Sequence, residues 1–195
     1  MAHVSYKTKA LVLGSLPRGE ANSVCILLTP DLGLVYVHAQ GIRFEKSKLR
    51  FSLQDYSITD IMLVHGKTGW RITNAVCIEA ISVDKEALRV VARVSNLVKR
   101  LVAGEEKNEE LFALCVDNMG ILSQKKYSHA ELSRIEMVWV LRVLFNLGYI
   151  DGDNSLREII SIPLSSISSY DGLDTIRSEA LGQINRAIES SQLLF

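Results

Sequence analysis

The sequence has few of the residues that usually announce chemistry. Its 195 residues include 3 Cys, 4 His and 3 Pro. Cys25, Cys77 and Cys115 stand far apart inside apolar runs, which fits reduced core thiols and offers no paired spacing for a structural zinc ion. None of His3, His38, His65 and His129 lies beside a plausible nucleophile or in a hydrolase or metalloprotease spacing. His129 reads as a first-turn helix residue and His38 as a strand residue. Gly14, Gly19, Gly33 and Gly41 read as separate turns, none followed directly by Gly-Lys-Ser/Thr, so no phosphate-cradling loop is expected at them. The pairs Glu105-Glu106 and Glu109-Glu110 sit at a helix junction and read as solvated surface rather than acid–base groups. No active site emerges, and neither enzymatic activity, a metal nor a cofactor is expected.

Long hydrophobic runs are also missing. A membrane-spanning helix needs about eighteen or more apolar residues, and the best stretch, Met137 to Phe145, is interrupted by Arg142 and flanked by Glu136 and Asn146. Met1 to Lys7 has no charged stretch leading into an apolar run, so a signal peptide, too, is not expected. The expectation is a cytoplasmic protein without membrane contact. Excess charge of either sign is lacking: 22 Lys+Arg balance 22 Asp+Glu, which removes overall basicity as an argument for nucleic acid. Any such binding has to be local.

What is present is 48% hydrophobic and 23% charged residues, enough to bury a core in one large domain or two small ones. Up to about Ala80, short runs rich in Val, Ile, Leu, Tyr and Thr alternate with turn residues. They predict strands over Lys7–Leu16, Asn22–Thr29, Leu34 to about Gly41, a segment within Phe51–His65, and Trp70–Ile78. In the last, Trp70, Ile72, Val76 and Ile78 alternate with Arg71, Thr73, Cys77 and Glu79, predicting one buried face. Five short strands in about eighty residues suit a closed barrel, which removes exposed edges.

From about Asp84 the period becomes helical. Leu88, Val91, Val94, Val98, Leu101 and Val102 predict one helix before Gly104, and Phe112, Cys115, Met119 and Leu122 a second that begins near Glu109. Ser128-His129-Ala130-Glu131 is a capping-box sequence opening a third, closed by Gly148 and apolar around most of its circumference, which predicts a buried central helix. A short helix at Ser155–Ile160, a serine-rich loop from Leu164 to Ser169, and a last helix at about Leu173–Ile188 complete the reading. The domains are expected at residues 1–80 and 81–195.

Split at Ala80, the charge is uneven. The first part holds nine basic and six acidic side chains, a net +3, and the remainder 13 and 16, a net −3. Arg43, Lys46, Lys48 and Arg50 cluster between strands three and four, interleaved with Phe44 and Phe51. Cations for phosphates and rings for bases are what single-strand binding requires. The competing reading turns Phe44 and Phe51 inward as barrel plugs and leaves the cations on an ordinary loop. Arg18, Lys67 and Arg71 are the other candidate cations of a basic barrel face, whereas Tyr36, Tyr56 and Trp70 are expected in the core.

A family pattern runs through these residues. Ala10-Leu11-Val12-Leu13, Gly19-Glu20, Leu28-Thr29, Leu32-Gly33, Gln40-Gly41-Ile42-Arg43 and Ser52-Leu53-Gln54 follow in order. Glu110-Leu111-Phe112, Arg134-Ile135-Glu136 and Leu147-Gly148-Tyr149 continue the pattern in the helical part. Over roughly residues 8–150 the sequence resembles the RecO family of bacterial recombination mediators. The resemblance implies an α+β protein, an N-terminal OB-fold five-stranded barrel followed by an all-α domain. It further implies binding to single- and double-stranded DNA, strand annealing, contact with the single-strand-binding protein, and work with RecR to load the RecA recombinase, in a nucleoid-associated setting. Carried over by position, Gly41 and Arg43 with the cations after them match the part of the motif linked to DNA contact. Three departures stand out: no cysteine follows Cys115, where many relatives carry a four-cysteine zinc element; Asp55 replaces a frequent proline; and the chain is short and neutral. They leave a second reading, an OB-fold adaptor that docks proteins with little DNA affinity of its own.

Overall fold

The computed structural model describes residues 5–151, 154–163, 166–167 and 172–190. The strands are β1 (Ser5–Arg18), β2 (Asn22–Thr29), β3 (Gly33–Ala39), β4 (Ser57–Gly66) and β5 (Gly69–Ala80). The helices are α1 (Lys48–Ser52), α2 (Lys85–Leu101), α3 (Glu109–Gln124), α4 (His129–Asn146), α5 (Asn154–Ser161) and α6 (Gly172–Ser190). The fold is α+β, with the sheet first and the helices after it, as expected. The chain divides into two compact units, Met1–Ile81 with Ala103–Val116, and Ser82–Val102 with Asp117–Phe195.

In the first unit the strands close in the order β1-β2-β3-β5-β4, a closed barrel. All pairs are antiparallel except β3 with β5, which meet in parallel through Val37↔Trp70 and His38↔Arg71. Long β1 closes the ring, its first half pairing with β4 and its second half with β2. The interior is filled by alternate residues, among them Val12, Leu27, Val37, Leu63 and Trp70.

Three irregularities shift the register of the strands. Register slips between Val12 and Gly14, so Gly14 lies inside β1 at a bulge rather than in a turn. It slips again on β5, where Met62 pairs with Asn74 but Leu63 with Ile72. The extra residue, Thr73, inverts the alternation beyond it, so that Ala75 is buried and the expected core residue Val76 is 57% exposed, while Ile78, skipped by a further slip between Ile58 and Thr59, is 51% exposed. Tyr36 is likewise not core, at 51% exposure on the outer face of β3, whereas Trp70 is buried as expected.

In the second unit α4 is the buried centre, with Ile135, Val138, Trp139, Leu141, Val143 and Leu144 all enclosed and only His129 and Ala130 at its start and Phe145 near its end exposed. Its capping box is complete: Ser128 Oγ accepts the Glu131 N–H, and the Glu131 carboxylate accepts the Ser128 N–H at 2.7 Å. The other end closes through Gly148 at φ +74, with Tyr149 N–H donating to the Leu144 carbonyl and Gly148 N–H to Phe145. Asp84 caps α2 by accepting from Glu86 and Ala87. The short helix expected at Ser155–Ile160 is α5, which runs one residue further at each end. The stretch Leu164–Ser169 lies, apart from Ser166 and Ile167, outside the described residues, as does His3.

Candidate nucleic-acid interface

The connection between β3 and β4 carries most of the candidate cations, and its backbone explains how they are displayed. Gly41 takes φ +67, a conformation L side chains rarely adopt, and the chain then proceeds through turns in which Phe44 N–H donates to Gly41 and Ser47 N–H to Phe44. The one-turn helix α1 follows and buries none of its own residues. This helix went unseen in the sequence, because five residues are too few to produce a period. Its neighbours Ile42 and Leu53 anchor in the barrel core and hold the segment between them against the barrel end.

Phe44 and Phe51 point outward, at 63% and 66% exposure, so they are not barrel plugs. The Phe44 ring lies over Gly41, where a Cβ would come within 3.3 Å of it. Arg43, Lys46, Lys48 and Arg50 are all exposed. Arg43 is also a strut: its guanidinium donates to the Gly19 carbonyl at 2.7 Å and its N–H to Ala21 at 3.0 Å, while Gly41 N–H donates to Asn22 Oδ1 at 2.8 Å. Three bonds therefore tie this connection to the β1–β2 turn.

The arginines then fall into two adjoining recesses. One, about 340 Å³, is lined by Ser15, Ser23, Ile42, Arg43, Arg50 and Leu53. The other, about 200 Å³, is lined by Arg18, His38 and Arg71 together with Asn22, Ser23 and Gln40. Ser23 lines both, so the two recesses adjoin as a double depression, one part bordered by Arg43 and Arg50 and the other by Arg18 and Arg71, and among the described residues no acidic side chain lines either part. Strand pairing explains the second cluster: Arg18 faces Asn22 across the β1–β2 hairpin, and His38 pairs with Val24 on one side and Arg71 on the other. Arg18 Nη1 lies 3.3 Å from both ring nitrogens of His38.

Of the cations named from sequence, the structure brings these arginines together and leaves Lys46, Lys48 and Lys67 outside the depression, Lys67 in the β4–β5 turn. His38, read from sequence as an ordinary strand residue, is the member that was missed. Its signal, a lone strand histidine, carries nothing until β5 lays Arg71 beside it. The negative charge of Asp55 acts elsewhere, reinforcing the effect of burial that raises the pKa of Cys25 to about 11 and also raises that of Tyr56.

Among the described residues, no group of three or more His, Cys, Asp or Glu is placed to hold a metal ion, and no helix is long and apolar enough to cross a membrane.

Comparison with known proteins adds to this geometry. Residues 1–81 match the family model described as Recombination protein O N terminal. Among curated proteins, the DNA repair protein RecO of Dehalococcoides mccartyi is 29% identical over 117 residues, covering 58% of this chain and 46% of the relative. That of Chlorobium limicola is 29% identical over 150 residues, covering 73% and 56%, and that of Rubrobacter xylanophilus 30% identical over 135 residues, covering 60% and 54%. The chain thus spans about half the length of the curated relatives it matches.

Proposed function

We propose that the chain, whose residues 1–81 match the N-terminal model of the RecO family, is a non-enzymatic DNA-binding recombination mediator whose barrel face is the DNA platform. The observation that carries this reading is the double depression bordered by Arg18, Arg43, Arg50 and Arg71, without acidic lining among the described residues, together with the outward rings of Phe44 and Phe51. Guanidinium groups pair with phosphates in a planar fork, and exposed rings offer bases a stacking surface. Gly41 supplies the turn that presents this segment, and Lys46, Lys48, Lys67 lie at its periphery as weaker phosphate contacts. In this reading residues 1–80 bind single- and double-stranded DNA and support annealing. Residues 81–195 act as buttress and docking surface for a RecR-like protein and the single-strand-binding protein, and through them aid loading of a RecA recombinase. The setting is cytoplasmic and nucleoid-associated.

The test is binding of a labelled single-stranded oligonucleotide across a salt series. Removing one cation that pairs with a phosphate should lower the slope of log affinity against log salt by about 0.7. The R18Q/R43Q/R50Q/R71Q variant should bind more weakly and with a flatter slope than a K46Q/K48Q/K67Q variant. If the arginine variant matches the parent at every salt concentration, this face is not the platform. Retention of RecR-like or single-strand-binding protein with no DNA shift at low salt would instead establish the adaptor reading.

A further inference from the structure

Deepening that reading, and resting on it for the source of the ligand, we propose that Arg18, His38 and Arg71 form a seat for one phosphate group whose affinity is linked to protonation of His38. A donor in the plane of an imidazole reaches one ring nitrogen, so the equal 3.3 Å approach of Arg18 Nη1 to Nδ1 and Nε2 puts the guanidinium over the ring face. Both in-plane nitrogen edges of His38 remain directed elsewhere. Arg71 reaches the same recess from β5, and Asn22 has its acceptor end taken by the Gly41 N–H.

The charges around His38 set the linkage. From β1 it faces Arg18, from β5 Arg71 and from β2 the uncharged Val24; on its own strand Tyr36 shares the outer face, and the uncharged Asn22, Ser23 and Gln40 complete the recess. The recess presents two guanidinium groups, and among the described residues no carboxylate lines it. A phosphate among the three groups accepts from both guanidinium groups and is best matched by an imidazolium, which donates a third charge-assisted hydrogen bond. Binding therefore takes up a proton, and affinity rises as pH falls through the histidine range, about 6.5 for an unperturbed ring. His38 joins the four arginines as a DNA-contacting residue in the sense of the proposed function, with a role the arginines cannot play since they stay charged throughout.

The experiment follows the imidazole resonances of the full chain by NMR from pH 5.5 to 8.0, with His38 assigned by its loss in H38Q. Titrations are run alone, with inorganic phosphate and with a (dT)15 oligonucleotide, alongside (dT)15 affinities for parent and H38Q at constant ionic strength. Both ligands should raise the titration midpoint of His38, and each unit of displacement corresponds to about tenfold tighter binding at low than at high pH. H38Q should lose that pH dependence and bind (dT)15 more weakly than the parent at pH 5.5. A His38 midpoint unmoved by either ligand, or a pH dependence that survives in H38Q, overturns the seat even if (dT)15 binds. Phosphate shifting His38 with no (dT)15 binding would uphold the seat for free phosphate and overturn the DNA platform instead.

Discussion

Arg43 carries two roles that a sequence cannot separate. Its backbone and part of its guanidinium hold the β1–β2 turn, while its exposed edge borders the arginine-lined depression. A substitution there changes loop position as well as charge, which is why the arginine face is tested as a group. Cysteine behaviour is a cleaner single-residue matter. Burial, helped by Asp55, pushes the Cys25 thiol up to about 11, and Cys115 is buried, whereas Cys77 is only half-buried on β5. The thiolate is the reactive form, so at pH 8 a maleimide should label Cys77 first and reach Cys25 and Cys115 only as the protein opens. Mass spectrometry of timed digests reads the order, and early modification of Cys25 would contradict its placement inside the barrel.

At the scale of the element, helices and strands were legible to different depths. The α4 capping box was readable because its partners are three residues apart and act locally, and the structure contains both of its bonds. S128A should therefore destabilise the helical unit by about 1 kcal/mol, as other lost caps do, measured by chemical denaturation. Glu131 makes the effect pH-dependent. Its backbone and side-chain bonds to Ser128 lower its pKa below the usual 4.5, so its stabilisation is in place above that value and is lost as pH falls through the lowered one. In S128A the stability loss between pH 5 and 3 should be smaller than in the parent. Strand β5 was readable only to its bulge. The alternation is correct at Trp70 and Ile72 and inverted after Thr73, because a bulge depends on the partner strand.

Across the whole molecule, the barrel unit is not one continuous stretch of chain. Ala103–Val116 returns to it, and the Glu106 backbone passes so close to Gly33 that a Cβ there would lie 2.1 Å from the Glu106 carbonyl oxygen. Gly33 and Gly19 both have positive φ, +64 and +69, but nothing lies within 4 Å of the position a Cβ would take at Gly19. The pair isolates the long-range approach. G19A should cost about 1–2 kcal/mol for the left-handed conformation alone, and G33A a further 1–3 kcal/mol or so for the clash. Equal melting temperatures for the two variants would mean that the returning segment yields freely.

By itself the sequence determined the strand count, the order of barrel and helices, the α4 cap and the basic character of the β3–β4 connection, since each follows from neighbours a few residues apart. Phe44 and Phe51 were named from sequence too, but whether they face the core or solvent depended on where Ile42 and Leu53 anchor the loop. Tertiary structure alone decided which cations act together. Arg18, His38, Arg43, Arg50 and Arg71 are spread over more than fifty residues and meet only because β3 pairs in parallel with β5 and the β1–β2 hairpin folds beside them. Local periodicity holds no record of such pairings, and the zero net charge of the chain conceals a depression where positive groups converge without a carboxylate among them.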